Sequence, residues 1–125
     1  MAGSKTILCI EDDHFISELY SRALLKAGFS VDSAVSGQKG LEMAKTKAYD
    51  IILLDIMTPD MTGVEVLHAL RDKADLVPNT KILVTTNLDQ PDDIKSELEK
   101  LADGYLIKAE ITPSKLVEIV SSLLG

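Results

Sequence analysis

The stretch Ile51-Ile52-Leu53-Leu54-Asp55 sets four apolar residues in a row and ends them on an acid. An amphipathic helix would repeat its apolar positions every three or four residues and a half-exposed strand would alternate. An unbroken run this short therefore reads as a strand covered on both faces. Ile7-Leu8-Cys9-Ile10, Ile82-Leu83-Val84 and Tyr105-Leu106-Ile107 repeat the pattern, with a weaker run around residues 31–35. The segments between them carry helical stripes instead. Ile16, Leu19, Tyr20, Ala23, Leu24 and Ala27 make the first, Leu41, Ala44 and Ala48 the second, and Val64, Leu67 and Leu70 the third. Ile94, Leu98 and Leu101 make the fourth, and Leu116, Ile119, Val120 and Leu123 the fifth. Gly28 past the first stripe, Gly37 ahead of the second, and Pro91 and Pro113 at first-turn positions mark helix boundaries. Five strands alternating with five helices require crossover connections, hence a mainly parallel sheet with helices on both faces. The predicted fold is a three-layer, doubly wound α/β sandwich, (βα)5, with a five-stranded parallel sheet in the order 2-1-3-4-5. In that order ligands sit beyond the carboxyl ends of the strands, where the order reverses between strands one and three.

Composition narrows the function classes. The chain of 125 residues is about one domain long, and its 46% hydrophobic content supplies a core without disulfides. Cys9, the single cysteine, cannot form an internal bridge and lies in an apolar run, so it reads as core in a protein of a reducing compartment. Thirteen Lys and Arg against 20 Asp and Glu leave a formal charge of −7, with a pI near 4.7. That balance opposes attraction to nucleic acid or to an anionic membrane. No apolar stretch approaches the roughly 20 residues of a membrane span, and residues 1–5 lack the apolar run of a signal peptide. The expected location is the cytoplasm, with no direct nucleic-acid contact and no membrane insertion. Residues 1–5 read as a flexible N-terminus or a cloning remnant, and 6–125 as a single domain.

The chemistry gathers at the carboxyl edge. Glu11-Asp12-Asp13 follows strand one and Asp55 closes strand three, so four carboxylates are expected to converge on one crevice. Like charges this close repel and raise each other's pKa, so the set calls for a compensating cation. One such acid alone would read as a helix cap; the combination fits a hard cation with oxygen ligands. Mg2+, or Mn2+, takes one or two carboxylates, keeps waters and accepts phosphate oxygens. Strand four ends in Thr85-Thr86-Asn87 and strand five runs into Lys108, adding a hydroxyl and an ammonium suited to phosphoryl oxygens. An aspartate can attack phosphorus to form an acyl phosphate, and Asp55 is the candidate acceptor.

With these residues in place the chain resembles, over nearly its whole length, the receiver domain of two-component response regulators, a flavodoxin-like fold. Ile10-Glu11-Asp12, the segment Tyr49-Asp50-Ile51-Ile52-Leu53-Leu54-Asp55-Ile56-Met57-Thr58-Pro59-Asp60-Met61-Thr62-Gly63, Thr85 and Lys108 carry the resemblance. So do the spacings of 43 positions from Asp12 to Asp55 and 30 from Asp55 to Thr85. The resemblance implies that Asp12, Asp55 and the main-chain carbonyl of Met57 bind Mg2+, that Glu11 acts through a water, and that Asp13 faces solvent or caps the first helix. It implies that Thr85 follows the phosphoryl group and that Tyr105 is the aromatic whose rotamer accompanies activation. The implied partners are a histidine kinase or phosphotransfer protein and a downstream target on the helix 4–strand 5–helix 5 face. Self-catalysed phosphotransfer and autodephosphorylation, and a monomer or a phosphorylation-dependent dimer, belong to the same expectation.

Three positions depart from the family pattern. Ala109 replaces the usual proline after Lys108, and a cis bond before a non-proline residue costs about 2.5–4 kcal/mol, so a different approach of Lys108 is expected. The stretch Ala109-Glu110-Ile111-Thr112 looks one residue longer than usual and predicts a reshaped loop. Thr86 stands where alanine is common and predicts a more crowded rim. His14 reads as a first-turn residue of helix one and His68 as a surface or boundary residue, while Met57 and Asn87 flank the site as residues that tune hydrolysis. The leading expectation is a phosphorylation-controlled switch acting by protein–protein contact, of the stand-alone type unless the chain is part of a longer regulator. A phosphate-independent scaffold is the alternative that Ala109 sustains. An aspartyl-nucleophile phosphatase is disfavoured because Met57 stands where those enzymes carry a second aspartate, and a nucleotide or flavin binder because no glycine-rich phosphate loop follows strand one.

Overall fold

A computed structural model describes residues 4–125; the first three residues of the expected N-terminal tail lie outside the described residues. The chain runs β1 (Thr6–Ile10), α1 (His14–Lys26), β2 (Ser30–Ala34), α2 (Gly37–Thr46), β3 (Ile51–Asp55), α3 (Gly63–Arg71), β4 (Lys81–Thr86), α4 (Asp92–Leu101), β5 (Gly104–Ile107), a 3-10 turn (Lys108–Glu110) and α5 (Pro113–Leu124). All strand pairs are parallel, in the order β2-β1-β3-β4-β5. The predicted sandwich and strand order are observed.

Because successive strand residues point to opposite faces, each apolar run feeds two cores. Leu8, Ile10, Ile52, Leu54, Ile82 and Val84 pack under α2, α3 and α4. Ile7, Cys9, Ile51, Leu53 and Leu83 pack under α1 and α5, against Tyr20, Leu24, Leu116 and Val120. Burial on both faces holds for the inner strands β1, β3 and β4 but not for the outer two. β5 has no fully buried residue and β2 buries only Ala34, because an edge strand keeps one flank open to solvent. Leu19, read as part of the α1 stripe, is 39% exposed, and Ser17 takes a buried place instead.

Helix ends follow local chemistry. Asp13 caps α1, its carboxylate accepting the N–H groups of Phe15 at 2.9 Å and Ile16 at 3.2 Å. His14 is the first residue of that helix and is exposed. At the other end Gly28 adopts φ 100°, and the N–H groups of Gly28 and Phe29 return to the carbonyls of Leu25 and Leu24. This is the left-handed close for which glycine is suited. Pro91 occupies the N-cap of α4 and Pro113 the first position of α5.

Candidate functional site

Strand register assembles the site. Ile10 pairs with Leu54 and Asp55 with Thr85, so Glu11 and Asp55 leave neighbouring strands side by side with Thr85 on the far flank of Asp55. Thr86 pairs with Ile107, which brings Lys108 to the same rim. Three of the four expected carboxylates meet: Glu11, Asp12 and Asp55 each offer an oxygen within 4.8 Å of the others. Asp13 does not join them. Its carboxylate is spent on capping α1, so the converging set is three acids rather than four.

Glu11 and Asp55 are each 2% exposed, whereas Asp12 stands in solvent. Lys108, 9% exposed, lies among them. Its ammonium contacts Glu11 Oε1 and lies 3.3 Å from Asp55 Oδ2. Burial pushes the Glu11 carboxyl above its ordinary range, opposed by the Lys108 hydrogen bond and reinforced by the Asp55 charge. Burial works against the Lys108 ammonium too, but Glu11 and Asp55 outweigh it and hold its pKa above the usual lysine value. Asp55 Oδ1 accepts the Met57 N–H at 3.1 Å and Glu11 Oε2 the Asp13 N–H at 3.1 Å. The Met57 main chain thus lies against the Asp55 carboxylate, while the residue is 61% exposed.

The departures at residues 86 and 109 resolve locally. Every described peptide bond is trans, and the turn Lys108–Glu110 carries the lysine to the carboxylates without a proline. The stretch that follows Lys108 begins in this single turn, closed by the Ile111 N–H on the Lys108 carbonyl. Thr86 is fully buried. Its hydroxyl donates to the Leu88 carbonyl at 2.8 Å and accepts from Gln90 Nε2 at 3.2 Å, so the added group is satisfied within the β4–α4 loop.

Tyr105 is half-buried. Its hydroxyl donates to Asp89 Oδ1 at 2.9 Å and accepts the Gln90 N–H at 2.8 Å, with Lys95 Nζ 5.3 Å from the ring centroid. These partners belong to the β4–α4 loop and α4. Two further residues near the site carry no mark in the sequence. Thr58, 3% exposed, donates to the Met61 carbonyl, and Asp60 accepts from the start of α2. Both lie in the β3–α3 loop; the Thr58 partner is in the same loop, whereas the Asp60 partners lie on a distant helix, which no periodicity announces.

The donor set suits a hard divalent cation: carboxylate oxygens on adjacent strand ends, one open to solvent, with no thiolate or imidazole among them. Glu11, Asp12 and Asp55 are the residues whose oxygens could hold such a cation, with the Met57 main chain hydrogen-bonded to Asp55 beside them.

The family model for the response regulator receiver domain matches residues 7–121. Among curated proteins, the chain is 39% identical over 102 residues to the probable transcriptional regulatory protein SilR of Salmonella typhimurium, covering 82% of this chain and 43% of that protein. It is 31% identical over 118 residues to the probable transcriptional regulatory protein TcrX of Mycobacterium tuberculosis, covering 94% and 47%. The chain thus spans less than half the length of these relatives. Among solved structures, the receiver domain of the Francisella response regulator 1452 superposes with TM-score 0.85 at 26% identity, covering 97% of each chain. Response regulator TrrA of Thermotoga maritima, in complex with Mg2+ and BeF, superposes with TM-score 0.80 at 31% identity, covering 95% and 98%. Sheet order, strand-end chemistry and these matches agree: the chain belongs to the response regulator receiver domain family.

Proposed function

We propose that the chain is a Mg2+-dependent phosphoacceptor switch of a two-component phosphorelay, phosphorylated on Asp55 by a histidine kinase or phosphotransfer protein. The observation that carries this reading is the buried Lys108 ammonium set against Glu11 and Asp55 where three carboxylate oxygens converge. A salt bridge built only for stability would not need the third acid, and a metal site alone would not need the lysine. In the transfer an Asp55 oxygen attacks phosphorus, the new P–O bond forms, and the P–N bond to the donor imidazole breaks with its electrons going to the ring. Asp12, Asp55 and the Met57 carbonyl would hold Mg2+ or Mn2+, with Glu11 acting through a water. The cation supplies neutralisation of charge on the transferred group. Lys108 and the Thr85 hydroxyl then bind phosphoryl oxygens. Water attack on the acyl phosphate at the same site gives autodephosphorylation. Phe15, 75% exposed on α1 three residues past Asp12, and Leu19 offer apolar surface beside the rim for a docking donor.

Output follows from the same contacts. Movement of Thr85 toward the phosphoryl group draws on β4, and Tyr105 is tied by its hydroxyl to the loop that follows β4. The face made by α4, β5 and α5 is thereby the proposed surface for a downstream protein, in a cytoplasmic regulator that is a monomer or dimerises on phosphorylation. No helix among the described residues is long and apolar enough to cross a membrane.

Incubation with acetyl phosphate and Mg2+, followed by intact-mass measurement, tests the reading. One phosphoryl adduct is expected on the wild type and none on Asp55→Asn. Failure of the wild type to label under these conditions would leave a phosphate-independent scaffold as the better account.

A further inference from the structure

We infer that Asp60 is a positioning residue for the cation site: it holds the β3–α3 loop, and with it the Met57 main chain, by gripping the N-terminus of α2. The inference rests on the reading of the Met57 carbonyl as a cation ligand. Asp60 Oδ1 accepts the Gly37 N–H and Oδ2 the Gln38 N–H, each at 3.0 Å. These first helical N–H groups have no acceptor inside α2, and the helix's own cap, Ser36, takes only the Lys39 N–H. The start of α2 is therefore capped twice, once locally and once from a loop that leaves the phosphoacceptor strand.

A second observation is the approach of the two backbones. A Cβ at Gly37 would lie 2.2 Å from the Met61 carbonyl oxygen, so the loop rests directly on the helix. The same loop is closed at its base by the Gly63 N–H on the Ile56 carbonyl at 3.0 Å and braced within by Thr58 on the Met61 carbonyl. Ile56 and Met61 pack this loop against the core, and Asp60 supplies its polar attachment to α2. A side-chain ligand corrects its distance by rotating; a carbonyl ligand moves only with its backbone, which at Met57 is held by its N–H on Asp55 Oδ1 and by its buried neighbours Ile56 and Thr58 rather than by its own exposed side chain. Loop rigidity is then what sets the carbonyl, as outer supports set the ligands of other metal sites.

The test is a Mg2+ titration of the 125-residue chain, followed by amide chemical shifts near Asp12, Asp55 and Met57, alongside urea unfolding. The variants are Asp60→Ala, Asp60→Asn and Ser36→Ala. Asp60→Ala is expected to raise the Mg2+ Kd about tenfold, and Asp60→Asn, which keeps one acceptor oxygen, to fall between it and the wild type. Ser36→Ala removes the local cap of the same helix and is expected to lose stability while keeping the wild-type Kd. Labelling of Asp60→Ala by acetyl phosphate should recover at saturating Mg2+. If Asp60→Ala fails to fold, Asp60→Asn against Ser36→Ala makes the same comparison. An unchanged Kd in the Asp60 variants, or an equal rise in Ser36→Ala, overturns the inference and leaves the cation site standing. A wild type that binds no Mg2+ at Asp12 and Asp55 overturns the underlying reading and the inference with it.

Discussion

Lys108 shows how one side chain makes a crowd of acids tolerable. Its side chain is 6% exposed, against 3% and 2% for those of Glu11 and Asp55, so neither carboxylate has bulk water to fall back on. Removing one partner of a buried ion pair costs about 3–5 kcal/mol because the remaining charge is left unpaired. Glu11 limits that loss by taking up a proton, since its pKa is already raised by burial. Lys108→Ala is therefore expected at the lower end, about 3 kcal/mol less stable by urea unfolding at neutral pH. Saturating Mg2+ should restore part of the loss; no recovery with Mg2+ would mean that the cation and the ammonium do not share these carboxylates. Glu11, Asp55 and Lys108 were readable in the sequence because parallel register carries residues just past the strand ends to one edge. The double role of Asp60 was not, because capping at a distance depends on where a loop comes to rest.

Among the secondary-structure elements, the junction of α2 with the β3–α3 loop and that of Tyr105 with the β4–α4 loop both use exposed aspartates. The Gln38 and Gly37 N–H groups hold the Asp60 carboxyl below its usual range, and the Tyr105 hydroxyl does the same for Asp89. A carboxyl with a depressed folded pKa adds stability above its unfolded pKa, and that stability is lost as pH falls through the folded value. Acid should therefore loosen these junctions only below about pH 4, the unfolded aspartate range. Asp60→Asn should lower the neutral-to-alkaline plateau of a stability-against-pH curve and so flatten its acid limb, and an unchanged acid limb would count against the cap. Gly37 supplies a test of the close approach. Alanine for glycine inside a helix ordinarily gains about 1 kcal/mol, but a Cβ 2.2 Å from the Met61 carbonyl meets backbone that cannot swing aside. Overpacking of this kind costs about 1–3 kcal/mol, so Gly37→Ala is expected to destabilise in urea unfolding, reversing the usual sign.

Across the whole molecule the two helical layers are unequal. α4 fully buries only Leu98 among its ten residues, with Ile94 and Leu101 partly buried against the same core, and its other ties are exposed or half-buried ones: Lys95 to Asp89 and its contact with the Tyr105 ring, the contact of Glu97 with His68, and the Leu101 carbonyl accepting from Arg71. An element with few buried apolar contacts lies at the low end of local stability and is suited to shifting between arrangements. Phosphorylation of Asp55 is expected to move amide shifts of Tyr105 and α4 as well as those around the site, and Lys108→Ala to label yet lose that remote response. Changes confined to the rim would show that the α4–β5–α5 face is not coupled to it. A net charge of −7 opposes nucleic-acid contact by this segment, so the proposed output runs through protein surfaces.

The sequence by itself determined the alternation of strands and helices, the parallel sheet and the edge at which the acids gather, because apolar period and strand length are properties of a few consecutive residues. Tertiary structure alone decided which strands lie open at the flanks, how a trans turn delivers Lys108, and that Asp60 fastens one loop to another helix. Those outcomes are choices among hydrogen-bond partners far apart in the chain, and they are set only when the backbone has brought the competitors within reach.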